Sequence, residues 1–136
     1  MLLKDIMQKN IVTLSPESTL RDVARLMKED NVGCVVIMNG QRLKGIITDR
    51  DIGCWVAEGK DPNKVTAGSI MKRHVIIATP EMSVFEASKL MADNKVRRLP
   101  VVAGNKLYGL VSISDLASII EAEVENFFHV EEAYHH

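Results

Sequence analysis

The chain has 136 residues, 46% of them apolar and 26% charged, which is ample material for a packed core and excludes a disordered segment. Lys and Arg number 17 against 18 Asp and Glu, and the net charge of -1 excludes a general electrostatic pull toward nucleic acid or anionic membrane. No apolar run reaches the ~18 residues of a membrane span, the start Met1-Leu2-Leu3-Lys4-Asp5 lacks the apolar stretch of a signal peptide, and Cys34 and Cys54 fit no metal spacing, so a soluble protein of the reducing cytoplasm is expected.

In chain order, a helical turn around Ile6-Met7 is expected to lead into a strand over Ile11 to Leu14, closed by Ser15-Pro16. Thr19-x-x-Asp22 then reads as a capping box opening a helix whose apolar positions Leu20, Val23, Ala24 and Met27 share one face. The apolar run Val35 to Met38, the turn Asn39-Gly40 and the run Leu43 to Ile47 predict a hairpin. A last helix from about Asp51 carries Ile52, Trp55 and Val56 and breaks near Gly59.

The same order then repeats. Laid on itself with Gly45 over Gly109, the chain matches without a gap from Asp5 over Ser69 to Asp51 over Asp115, with identities at Ile6/Ile70, Met7/Met71, Pro16/Pro80, Leu26/Leu90, Val32/Val96, Gly40/Gly104 and Asp51/Asp115 among others. A second strand is expected over Val75 to Ala78, a second capping box at Ser83-x-x-Glu86, and a second hairpin from Leu99 to Val102 and Leu107 to Val111. The second closing helix is longer, with Leu116, Ile120, Val124 and Phe127 at near-heptad spacing and an acidic tail free of Lys and Arg. The fold class is therefore α+β. Residues 1–60 form one unit, 61–68 a linker and 69–136 a second unit, each roughly β-α-β-β-α. Units this small bury little alone, so they are expected to pack sheet to sheet with pseudo-twofold symmetry.

Each unit ends its hairpin in a glycine, a hydroxyl and a carboxylate on fixed spacing: Gly45, Thr48 and Asp51, then Gly109, Ser112 and Asp115. Two readings of this trio stand side by side. The hydroxyl and carboxylate can be another pair of capping boxes, with the glycines allowing close backbone approach. Alternatively, the helix N-terminus and hydroxyl can meet a phosphate while the carboxylate accepts from a ribose diol, which suits a mononucleotide.

The doubled pattern of Ile-Met, strand, Ser/Thr-Pro, helix, apolar strand and Gly-x-x-Thr/Ser-x-x-Asp resembles a tandem cystathionine-beta-synthase (CBS) domain pair, or Bateman module, from about Leu3 to Ile120. The resemblance implies a stand-alone, non-catalytic regulatory module binding an adenosyl ligand (AMP, ADP, ATP or S-adenosylmethionine) between the repeats, with no obligatory cofactor. Carried over by position, Asp51 and Asp115 hold ribose hydroxyls, Thr48 and Ser112 supply the hydroxyls, and Arg50 and Ser114 lie near the phosphate. Arg97 and Arg98 precede Pro100 where the family approaches base and phosphate. Their first-repeat counterparts are Gly33 and Cys34, and Val36 stands where the family has a second proline, a departure. One cleft is then expected to join Thr48, Arg50 and Asp51 to Val96, Arg97 and Arg98, and to hold the phosphorylated ligand. The other joins Ser112, Ser114 and Asp115 to Val32, Gly33 and Cys34, and is vacant or takes an uncharged adenosyl group. A homodimer through the last helices of each repeat and an unknown effector protein complete what the family implies.

Competing readings fare worse on the residues. Lys72, Arg73, His74, Arg97 and Arg98 are too poor in aromatic neighbours for a nucleic-acid surface, and His74 lacks a metal-ligand set. No nucleophile has a base and orienting partner at usable spacing, so no catalytic residues and no enzyme are expected. Cys34, Cys54 and the repeated methionines read as buried packing residues, and Trp55 as a core or interface anchor. The main alternative function is a structural dimerisation module that binds no nucleotide. The closing His135-His136 is either native or the remnant of a tag.

Overall fold

The computed structural model describes residues 1–134; His135 and His136 lie outside the described residues, and with them the question of a tag. The elements are α1 (Leu3–Ile6), β1 (Thr13–Leu14), α2 (Leu20–Asp30), β2 (Cys34–Asn39), β3 (Arg42–Thr48), α3 (Asp49–Ala57), α4 (Ala67–Ile70), α5 (Val84–Asn94), β4 (Arg98–Ala103), β5 (Lys106–Ser112) and α6 (Ile113–Tyr134). The mixed α+β architecture and its duplication are as expected, although the first sheet has three strands and the second only two.

Local chemistry explains most boundaries. Thr19 Oγ1 accepts from Asp22 N at 3.2 Å while the Asp22 carboxylate accepts from Thr19 N at 3.0 Å, the reciprocal cap that opens α2. Those Thr19 hydrogen bonds hold the Asp22 carboxyl below its usual range. The α2 and α5 helices end on Asn31 (φ 52) and Lys95 (φ 55) in the left-handed region, and Val32 N and Val96 N reach back to Met27 O and Met91 O at 3.1 Å. Gly40 (φ 60) and Gly104 (φ 61) make the hairpin turns possible, since positive φ there costs a glycine little.

Two cores form. One gathers Leu20, Val23, Met27, Val35, Ile37 and Ile47, and the other Ala87, Met91, Leu99, Val101, Val111 and Leu116. Each places its hairpin's inner face against the helices. Val36 and Pro100 are fully buried yet belong to neither core, and strand alternation puts them on the opposite faces, where the two sheets meet.

The short leaders are exchanged between the units. Leu3 of α1 is fully buried in the second core, held by Leu3 N to Met82 O at 2.8 Å, and Gln8 pairs with Leu110. Reciprocally, Ala67 and Ile70 of α4 enter the first core, and Lys72 pairs with Ile46. Burying one leucine of this kind contributes roughly 1.5–3 kcal/mol, so the exchange ties each unit to the other's chain.

Three expectations need correction. The first strand is shorter than Ile11 to Leu14: only Thr13 and Leu14 pair in parallel with Val36 and Ile37, because the preceding residues are already crossing to the other unit. The strand over Val75 to Ala78 reduces to one bridge from Ala78 to Val101. In the first unit Val36 N donates to Val12 O at 3.0 Å; its counterpart, Pro100, has no N–H to give, so that rung of the ladder is missing. Cys34 is buried as expected, but Cys54 is exposed, on the outer side of α3.

Candidate ligand clefts

Both copies of the hydroxyl-carboxylate pair are reciprocal caps. Thr48 N donates to Asp51 Oδ2 at 2.9 Å and Asp51 N to Thr48 Oγ1 at 3.3 Å, while Ser112 N donates to Asp115 Oδ2 at 2.9 Å and Asp115 N to Ser112 Oγ at 3.2 Å. The capping role therefore holds in full. It does not exhaust the carboxylates, since each oxygen has two lone pairs and the caps use one.

What approaches the other carboxylate oxygen differs between the copies. Lys72 Nζ lies 3.5 Å from Asp51 Oδ1, whereas Gln8 Nε2 lies 3.3 Å from Asp115 Oδ1. Gln8 and Lys72 are repeat counterparts, each directly following the leader methionine, and each arrives from the exchanged segment. Gln8 was not singled out in the sequence, and Lys72 only as part of a rejected nucleic-acid patch; the signal available was their position after Met7 and Met71.

Two of the clefts between the units carry the residues singled out in the sequence. The larger, of about 420 Å³, is lined by Thr48, Asp49 and Arg50 of the first unit and by Lys95, Val96, Arg97 and Arg98 of the second, together with Lys72, Ser112 and Ser114. It thus carries five cations against one carboxylate, Asp49. Asp51 is not in its wall but stands behind Thr48, with its side chain 17% exposed. The smaller cleft, of about 220 Å³, brings Val32, Gly33 and Cys34 together with Ser112, Ser114 and Asp115, and Arg98 reaches it as well. The larger cleft thus brings Thr48 and Arg50 together with Val96, Arg97 and Arg98 but leaves out Asp51, the smaller brings Ser112, Ser114 and Asp115 together with Val32, Gly33 and Cys34, and Arg98, Ser112 and Ser114 line both.

Small-molecule sites run from about 300 to 1,000 Å³, so the larger cleft has the volume for a nucleotide and the smaller is tight for one. Burial pushes the Cys34 thiol up to about 12, Asp49 and Asp51 add to this, and Arg98 opposes it. Cys34 is therefore a neutral wall and no nucleophile at neutral pH. A third hollow, an open groove of about 530 Å³ between α5 and α6, is lined chiefly by Val84, Phe85, Ile120, Val124, Phe127 and Phe128. Its polar lining is limited to Ser83, Ser88 and Glu123 among the described residues, and it is a surface of a different kind. Among the described residues no helix is long and apolar enough to cross a membrane, and no three acidic, histidine or cysteine side chains cluster as a metal site.

The sequence matches the CBS domain over residues 3–53 and again over 67–122. The chain belongs to the CBS-domain family. It is 40% identical over 115 residues to the CBS domain-containing protein YhcV of Bacillus subtilis, a match covering 84% of this chain and 81% of that one. The CBS domain pair of the protein MJ0100, crystallised in complex with 5'-methylthioadenosine and S-adenosyl-L-methionine, shares the fold with a TM-score of 0.82 at 27% identity, over 90% of this chain and 98% of that one. A hexameric CBS-CP12 protein from bloom-forming cyanobacteria aligns with a TM-score of 0.78 at 28% identity, over 98% of this chain and 87% of that one. These CBS pairs have the same two repeats, each a small sheet with helices.

Proposed function

We propose that this CBS pair is a regulatory module that senses an adenosyl nucleotide, with the larger cleft taking a phosphorylated ligand such as AMP, ADP or ATP. The observation that carries the reading is the convergence of Arg50, Lys72, Lys95, Arg97 and Arg98 around one cavity beside the Thr48 and Ser112 hydroxyls. In this reading the cations and hydroxyls hold the phosphate, Val96 and Ile46 flank the base, and Asp51 accepts from the ribose diol. The smaller cleft, through Val32, Gly33, Ser112, Ser114 and Asp115, takes an uncharged adenosyl group or stays empty while the larger one holds its phosphorylated ligand. The adenosyl ligands of MJ0100 support the ligand class.

The module is non-catalytic, works in the reducing cytoplasm, forms a homodimer through the last helices of each repeat, and passes its state to a separate effector protein. Calorimetric titration of protein stripped of copurifying nucleotide tests the site. AMP is expected to bind, and binding to fall at least tenfold in Asp51→Ala and in Arg97→Ala. Saturation at 100 times the dissociation constant should also stabilise the fold by about 2.7 kcal/mol. If AMP binding survives both changes and vanishes in Asp115→Ala, the clefts have been assigned the wrong way round. A flat response across AMP, ADP, ATP and S-adenosylmethionine would favour the purely structural module.

A further inference from the structure

Resting on the nucleotide reading of the clefts, we infer that Arg98 is shared between them, so that a phosphate bound in the larger cleft weakens the binding of a second phosphate in the smaller one. Arg98 opens β4 and lines both cavities. Its guanidinium lies over Gly33, in the wall of the smaller cleft, where no side chain is in the way: a Cβ added at Gly33 would lie 2.8 Å from Arg98 Nη2 and 3.0 Å from Asp49 Oδ2. Among the described residues no carboxylate lies within 4.0 Å of this guanidinium and no hydrogen bond fixes it. The group is a charge with more than one place to go.

The two clefts depend on that charge unequally. The larger has Arg50, Lys72, Lys95 and Arg97 besides, so the loss of one cation among five is partly covered. In the smaller cleft Arg98 is the one cation in the wall, set against the carboxylate of Asp115. A phosphate in the larger cleft draws the guanidinium to its own side. The smaller cleft is then left with Asp115 and no opposing charge, which repels a second phosphate but leaves a neutral nucleoside unaffected. Because such coupling is a property of the two bound states together, it acts equally in both directions.

Titrations with AMP and with adenosine test this on the full chain. A double variant, Asp51→Ala with Arg97→Ala, disables the larger cleft and isolates the smaller. AMP is expected to bind the smaller cleft of this double variant at least fivefold more tightly than the second AMP binds the unaltered protein, while adenosine shows no such difference. Adding Arg98→Gln to the double variant should remove AMP binding and leave adenosine binding intact, and the retained adenosine binding shows that the triple variant is folded. A second AMP step in the unaltered protein as tight as that of the double variant would overturn the sharing, as would AMP affinity within twofold after Arg98→Gln. Failure of both AMP and adenosine to bind the unaltered protein would overturn the nucleotide reading itself.

Discussion

A Cβ placed on Gly45 would lie 2.6 Å from the Met71 sulfur and 2.7 Å from the Lys72 carbonyl oxygen, and one on Gly109 would lie 2.6 Å from the Met7 sulfur. The repeated glycines thus serve the exchanged leaders, whose methionines lie flat on the strands. Gly45→Ala is expected to lower the unfolding free energy by about 1–3 kcal/mol through overpacking, read from urea denaturation. Gly53 makes the contrast, because nothing lies within 4 Å of its missing Cβ inside α3; Gly53→Ala should stabilise by up to about 1 kcal/mol. Cys34 gives a residue-scale test in pH. Its thiol is raised from 9.0 to about 12 in the fold, so the folded state retains a proton that the unfolded chain loses. The stabilisation this brings is complete below pH 9 and declines between pH 9 and 12, by up to about 1.4 kcal/mol per pH unit. Unfolding measured at pH 8 and pH 10 should show a smaller loss in Cys34→Ala than in the unaltered protein; equal losses would mean that the thiol titrates normally.

At the scale of elements, the leaders make one fold out of two repeats. α1 has only four residues and would not persist alone, yet Leu3 is fully buried against the second unit's helices and strands. Leu3→Ala is expected to destabilise by about 2–5 kcal/mol, and amide exchange should quicken in α5, β4 and β5 of the second unit, although the change lies at the other end of the sequence. Faster exchange confined to the first unit would contradict the exchanged packing. The repeated Ile-Met pattern announced the leaders, but nothing local in them says which core they join. That is decided by the space over Gly109 and Gly45.

For the molecule as a whole, the groove between α5 and α6 gathers a run of exposed apolar residues. Phe85 is 79% exposed and Phe127 68%, and Ile120, Val124 and Phe128 continue the same surface along the groove between α5 and α6. The proposed homodimer, formed through α3 and α6, covers the α6 side of this face. Light scattering at micromolar concentration should give twice the 15.1 kDa chain mass, and Phe127→Glu should return the monomer without shifting the thermal midpoint of the core. A monomer in the unaltered protein would remove the dimer from the proposal.

The duplication, the α+β class, the reciprocal caps at Thr19, Thr48 and Ser112 and the hairpin turns at Gly40 and Gly104 were all legible in the sequence, since periodicity, capping and turn chemistry act over a few residues. The residues named from the family likeness line the two clefts, Asp51 excepted. Tertiary structure alone decided the rest. It withdrew the strand before Pro80 for want of an N–H at Pro100, exposed Cys54, and brought Gln8 and Lys72 to the repeated aspartates. It also set Asp51 behind Thr48 and laid Arg98 over Gly33, where it lines both cavities. Each of these depends on what a distant segment leaves free, a hydrogen-bond donor in one case and a few ångströms of space in another, and such quantities are fixed only when the two repeats pack together.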